Sequence, residues 1–246
     1  MSAREWTLAL KNIVFPIFCK QCGVRLLTEE NGYFCPTCWE GSPKITRPFC
    51  SLCGRPHKDA SGFDTRSNFP CVECASRANP APYDRVWGAR MYDEAMREAV
   101  KLLKFHGKVR LAEVLGEVMR EFAAEEIPCD EYDCIAPVPL YRVRERERGF
   151  NQSLMLAEEI LAAFPGAVLL CGLQRIRPTR TQSRLKDPAE RKKNVEGAFA
   201  YDGESLKGKR VLLVDDVVTS GGTVSECARV LKRAGARVDV FAATLA

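Results

Sequence analysis

The 246-residue chain has no apolar run approaching the roughly 18 to 20 residues that cross a bilayer, which excludes an integral membrane helix. It lacks the composition of a collagen, a mucin or a disordered chain: 37 Lys and Arg against 32 Asp and Glu leave +5, with 46% hydrophobic and 28% charged residues. From Val86 onward no internal repeat is present. Twelve cysteines are too few for a disulfide-knotted secreted scaffold of this length. The apolar start from Trp6 to Phe18 also lacks what an export signal needs, because Lys11 and Asn12 interrupt it and Cys19-x-x-Cys22 stands where a small-residue cleavage site belongs. It reads instead as a short amphipathic helix, stopped near Pro16 and packed on the cysteine module. A cytoplasmic protein without a membrane span is expected, and its modest positive charge permits a polyanionic partner.

Eight cysteines fall in tight pairs within the first third. Cys19-x-x-Cys22 lies twelve residues before Cys35-x-x-Cys38, and Cys50-x-x-Cys53 lies seventeen before Cys71-x-x-Cys74. Each set of four makes a closed tetrahedral thiolate shell, so two structural zinc ions are predicted. Interleaved pairing of the four motifs uses the same residues, and iron–sulfur ligation is the alternative chemistry. His57 is not needed by shells already full. Cys129, Cys134, Cys171 and Cys227 lack pair spacing and read as buried free thiols. Between the cysteines, Tyr33, Phe34, Trp39, Arg47, Phe49 and Arg55 suit stacking on single-stranded bases or, equally, packing around the metal knuckles.

Residues 75 to 84, with Pro80 and Pro82, read as a linker. Beyond them strands alternate with helices. Strands are predicted at 86–92, 134–138, 168–170, 210–214 and 237–245. Helices are predicted from the stripe Met96, Ala99, Val100 and Leu103, and over roughly 109–124, 151–163 and 223–234. That alternation implies an α/β fold with a mostly parallel sheet flanked by helices. Residues 142–148 read as a charged loop, and 175–196 as a long polar loop, functional or mobile.

The stretch Val211-Leu-Leu-Val-Asp-Asp-Val-Val-Thr-Ser-Gly-Gly-Thr223 carries the chemistry. A buried strand brings two adjacent carboxylates, Asp215 and Asp216, to the sheet edge where α/β proteins bind ligands. Thr219, Ser220, Gly221, Gly222 and Thr223 then form a small-residue turn into a helix, whose amides, hydroxyls and N-terminal field suit a monophosphate. The carboxylates suit sugar hydroxyls or a hydrated Mg²⁺. A capping box, Thr223-Val-Ser-Glu226, is expected to close the helix start. No Gly-Lys-Ser/Thr follows, so this is not a Walker A loop.

Those thirteen residues resemble the signature of type I phosphoribosyltransferases. By that resemblance Asp215 and Asp216 are the catalytic pair holding the ribose hydroxyls of phosphoribosyl pyrophosphate, and Val217, Val218, Thr219, Ser220, Gly221, Gly222 and Thr223 complete the site. The resemblance narrows when the cysteine pairs are joined by Pro137-Val-Pro-Leu140, Arg148-Gly-Phe-Asn-Gln152, Gln182, Leu185, Arg191, Asn194 and Gly197-Ala-Phe199. Together these resemble the ComF family of competence proteins over nearly the whole chain. The resemblance implies a double zinc ribbon at 1–78 and a phosphoribosyltransferase domain at 79–246.

It assigns the pyrophosphate loop to Val138, Pro139, Leu140, Arg142 and Arg146, and a flexible lid to the segment holding Gln182, Arg184 and Arg191. The basic character of that segment would also suit a nucleic-acid backbone. It implies a role in natural transformation, with single-stranded DNA and the DNA-uptake translocase as candidate partners. Phosphoribosyl transfer with Mg²⁺ to an unassigned acceptor is the expected activity. The alternative is a non-catalytic adaptor that senses phosphoribosyl pyrophosphate and binds single-stranded DNA. A biosynthetic amidotransferase relative is a third reading, against which the chain shows no separate glutamine-hydrolysing domain.

Overall fold

A computed structural model describes residues 6, 12–13, 16–26, 32–57, 68–78, 80–179 and 188–246. Most of the expected N-terminal helix, and the lid residues Gln182 and Arg184, lie outside them.

The cysteine-rich part is built on short pieces: a β1 (Ile17–Phe18) and β2 (Arg25–Leu26) ribbon, α1 (Pro36–Glu40) and α2 (Val72–Ala75). Then come β3 (Val86–Met91), α3 (Glu94–His106), α4 (Arg110–Glu126) and β4 (Cys134–Pro137). They are followed by α5 (Arg142–Arg148), α6 (Gln152–Leu161), β5 (Val168–Leu169) and β6 (Leu173–Arg175). The chain ends with α7 (Pro188–Val195), β7 (Phe199–Tyr201), β8 (Arg210–Val218), α8 (Gly222–Arg233) and β9 (Arg237–Leu245).

One sheet of five strands, ordered β3-β9-β8-β4-β5 and parallel throughout, forms the centre. The runs Val211–Asp216 and Val238–Leu245 are buried residue after residue, so both faces of the sheet are covered. Helices α4 and α6 pack on each other and on the sheet, and α8 packs on β8 and β9. Asp93 caps α3 by accepting from Met96 N–H at 2.9 Å, and Asn151 caps α6 by accepting from Ser153 N–H at 3.1 Å.

Several expectations shift. β8 runs on to Val218, so both aspartates lie within the strand rather than after it. Residues 142–148 form a helix, because Arg and Glu are good helix formers and Gly149 ends it at φ 84°. Within the polar stretch 175–196, α7 forms without an apolar stripe to announce it, and β6 and β7 pair antiparallel at its flanks. The expected linker is tied down: Asp84 N–H donates to the Val238 carbonyl at 2.8 Å, and its carboxylate meets Lys232 at 2.8 Å.

The cysteine-rich part docks on the edge strand β3. Ile45 N–H donates to Ala89 at 3.1 Å, Met91 N–H to Pro43 at 2.9 Å and Val86 N–H to Leu52 at 2.8 Å. Arg90, buried, donates to the carbonyls of Ser42 (3.1 Å) and Trp39 and stacks on the Trp39 ring at 5.0 Å. Phe49 enters the main core and meets Trp87 and Phe122 at centroid distances of 6.2 and 6.1 Å.

Candidate functional site

The acidic doublet sits at the floor of a cleft of about 1030 Å³ at the C-terminal end of the parallel sheet. Asp215 Oδ1 accepts from Ser153 Oγ at 3.0 Å and from the Asp216 backbone N–H at 2.9 Å. Burial and then the neighbouring Asp216 push its carboxyl up to about 8. Asp216 meets the Lys104 ammonium at 2.5 Å, although its Oδ2 has no well-aligned hydrogen-bond donor among the described residues. Lys104 thus sits in the field of both carboxyls, and the Arg148 and Arg175 guanidinium groups act on Asp216 and Asp215 from further off.

Beyond Val218 the chain forms the glycine crook. Gly221 has φ 74° and caps α8, a conformation that excludes most side chains, and a Cβ there would lie 3.0 Å from the Tyr83 hydroxyl. Inside the crook lies a pocket of about 20 Å³ lined by Val217, Val218, Thr219, Gly221, Gly222 and Thr223. That is room for about one solvent-sized group, so side chains do not fill the crook completely. Ser220 is exposed and lines neither cavity. The expected capping box does not form: Glu226 instead accepts from the Gly197 N–H at 2.9 Å and pairs with Arg229.

Val138, Pro139 and Leu140 line the cleft, and Asn151 Nδ2 holds the Val138 carbonyl at 3.1 Å. Arg142 and Arg146 are exposed and do not line it; the helical period of α5 brings Arg144 and Arg148 there instead. Arg175 from β6 also lines the cleft, stacks on Phe199 at 5.3 Å, and keeps a buried Nε without an acceptor among the described residues. Counting the lining, Arg97, Lys101, Lys104, Arg144, Arg148 and Arg175 face Glu147, Asp215 and Asp216, six cations to three carboxylates. Arg191 lies in α7.

The eight paired cysteines close two separate shells in chain order: Cys19, Cys22, Cys35 and Cys38, then Cys50, Cys53, Cys71 and Cys74, each with its sulfurs within 4.8 Å of one another. Interleaving is thereby set aside. Cys22 and Cys35 sulfurs lie 3.7 Å apart and those of Cys53 and Cys71 4.0 Å, close to the roughly 3.8 Å edge of a tetrahedron with zinc–sulfur bonds near 2.3 Å.

Their protonation tells the same story. Burial raises Cys19 and Cys50, but backbone N–H donors outweigh it and bring them down to about 6 and about 7. Burial and the neighbouring cysteine sulfurs then drive Cys38 and Cys74 well up. Four thiolates coexist in such a shell only around a cation. Of the other cysteines, Cys134 and Cys227 are buried as expected, whereas Cys171 is exposed.

Residues 10–75 match the family model described as a double zinc ribbon domain, and residues 151–246 that of a phosphoribosyl transferase domain. Competence protein ComFC of Bacillus subtilis is 29% identical over 227 residues, covering 89% of this chain and 86% of that protein. DNA utilization protein YhgH of Salmonella typhimurium is 30% identical over 227 residues, covering 91% and 94%. The chain belongs to the ComF family. Competence protein F of Haemophilus influenzae is a further relative, 25% identical over 227 residues and covering 90% and 93%.

In this ComF protein the two four-cysteine shells fit two structural zinc ions, and the parallel sheet is a phosphoribosyltransferase-type fold. The aromatic residues between the cysteines are largely structural: Phe34 and Phe49 are buried, and Tyr33 and Trp39 are half-buried against the core. Residues that reasoning on sequence missed are Lys104 and Ser153. Lys104 lies four places after Val100 at the border of the α3 stripe, and Ser153 directly follows the motif ending at Gln152; those positions were the available signals. Among the described residues no helix is long and apolar enough to cross a membrane.

Proposed function

We propose that this ComF protein binds phosphoribosyl pyrophosphate with Mg²⁺ in the cleft and transfers the phosphoribosyl group to a nucleophilic acceptor, acting in the cytoplasm during DNA uptake. The observation that carries the reading is the juxtaposition of a glycine crook, a buried acidic doublet and six cleft-lining cations. A phosphate monoester suits the crook, ribose hydroxyls suit Asp215 and Asp216, and the pyrophosphate suits Arg144, Arg148 and the orphan donor of Arg175. The loop at Val138, Pro139 and Leu140 stands beside the same leaving group. Mg²⁺, when bound, would supply positive charge to the departing pyrophosphate, and its hydration shell fits the doublet.

In the transfer, the bond from the anomeric carbon to the pyrophosphate oxygen breaks with its electron pair leaving on pyrophosphate, and a lone pair of the acceptor forms the new bond. No side chain need attack; the chain orients both partners and offsets charge. The names of the relatives, in competence and DNA utilization, support placing the activity beside incoming DNA, with single-stranded DNA and the uptake translocase as partners.

Calorimetric titration with magnesium phosphoribosyl pyrophosphate tests the binding. The doubly substituted Asp215→Asn, Asp216→Asn protein is expected to bind at least about tenfold more weakly, from the loss of charge-assisted hydrogen bonds. Wild-type affinity in that protein would overturn the site assignment. Pyrophosphate release, followed with and without single-stranded DNA, separates transfer from binding alone. Tight binding with no release under any acceptor would favour the sensing adaptor.

A further inference from the structure

We propose that the second cysteine knuckle is a working part of the anion site, with Arg55 as the positioning residue that sets the backbone of the crook. This rests on the reading of the crook as the phosphate site. The knuckle loop closes on itself, Cys50 N–H donating to the Arg55 carbonyl at 2.8 Å and Gly54 N–H to the Cys50 carbonyl at 2.9 Å. The Cys50 sulfur accepts from the N–H groups of Leu52, Cys53 and Cys71 at 3.4, 3.4 and 3.2 Å, which fixes the loop to its metal shell.

The same loop is wedged against the sheet. Gly54 has φ 72°, and a Cβ there would lie 2.5 Å from the Val86 carbonyl oxygen and 3.1 Å from Leu245 Cδ1. From this fixed base the Arg55 guanidinium donates through Nη2 to the Thr219 carbonyl at 3.0 Å and to the Ala246 carbonyl at 2.7 Å. Thr219 opens the crook just beyond β8, and Ala246 follows β9, the neighbouring strand.

The consequence follows from the peptide plane. The Thr219 carbonyl and the Ser220 N–H belong to one trans peptide and point in opposite directions. Holding the carbonyl on Arg55 therefore fixes the peptide plane at the mouth of the crook, and with it Thr219, which lines both the cleft and the small pocket. A crook backbone fixed before the anion arrives costs less ordering on binding. Both bonds leave one nitrogen, whose two hydrogens lie in the guanidinium plane and reach carbonyls at adjacent strand ends.

The test uses the full zinc-loaded chain and three variants. Arg55→Met and Arg55→Lys address the strut; Arg47→Met removes a different attachment of the same ribbon, the 2.7 Å ion pair with Glu126. Hydrogen exchange at residues 219–222, zinc content and calorimetric affinity for magnesium phosphoribosyl pyrophosphate are read on each. Arg55→Met is expected to retain both zinc ions, to exchange faster at 219–222, and to bind about tenfold more weakly, with partial rescue by Arg55→Lys. Arg47→Met is expected to change neither exchange nor affinity.

Wild-type exchange at 219–222 in Arg55→Met overturns the proposal whatever the affinity, as does an equal effect of Arg47→Met. A wild-type protein that fails to bind the ligand, alongside a crook still loosened by Arg55→Met, overturns the phosphate reading and leaves the strut standing.

Discussion

Asp215 is buried beside Asp216 and holds its proton up to about pH 8 in the free protein. Ribose hydroxyls donate to a carboxylate and so favour its ionised form, which lowers the pKa in the complex. Between the bound and free values, ligand binding expels a proton, and affinity rises with pH through that window before levelling above about 8. Calorimetry at pH 7 in buffers of different ionisation heat is expected to show release of up to about one proton by wild type and nearly none by Asp215→Asn. Equal release by both proteins would refute this account of the doublet. The two aspartates were legible in the sequence because they are neighbours in one apolar strand. Lys104 and Ser153 were not, since they reach the doublet from helices whose periodicity tells which side is buried but not which strand faces it.

Elements that pack by an apolar stripe could be read in advance: α3, α4, α6 and α8 all appear near their expected bounds. Those held by polar contacts could not. α7 buries Val195, and α5 has no buried residue, so hydrophobic periodicity was silent for both. Glu226 is the clearest case. Its spacing from Thr223 suggested a capping box, yet Gly221 caps the helix and the carboxylate instead grips Gly197, where the chain leaves α7. Glu226→Ala is therefore expected to leave the α8 amides protected, to speed exchange at 195–199, and to cost about 1–2 kcal/mol in urea unfolding. Faster exchange confined to the first turn of α8 would restore the capping-box reading.

A change of composition near residue 75 suggested two units, and the cysteine pairs announced their metal shells. What composition could not reveal is that the units share a core. Phe49, 1% exposed and adjacent to the ligand Cys50, packs against Trp87 and Phe122, and Phe122 in turn meets Phe241 at 5.8 Å. These partners are distant in sequence, so only the folded chain brings them together. The metal shells and the parallel sheet should accordingly unfold as one cooperative body. Scanning calorimetry of the zinc-loaded chain is expected to give a single transition, which Phe49→Ala lowers by a core-cavity cost of about 3–5 kcal/mol without releasing zinc from the native state. Chelation should lower that same transition, because stripping Cys50 of its ion loosens the loop that carries Phe49 into the sheet. Two separable transitions, with the sheet melting at an unchanged temperature after chelation, would show instead that the ribbon is an appendage, and Phe49 a ring that merely rests on its neighbour.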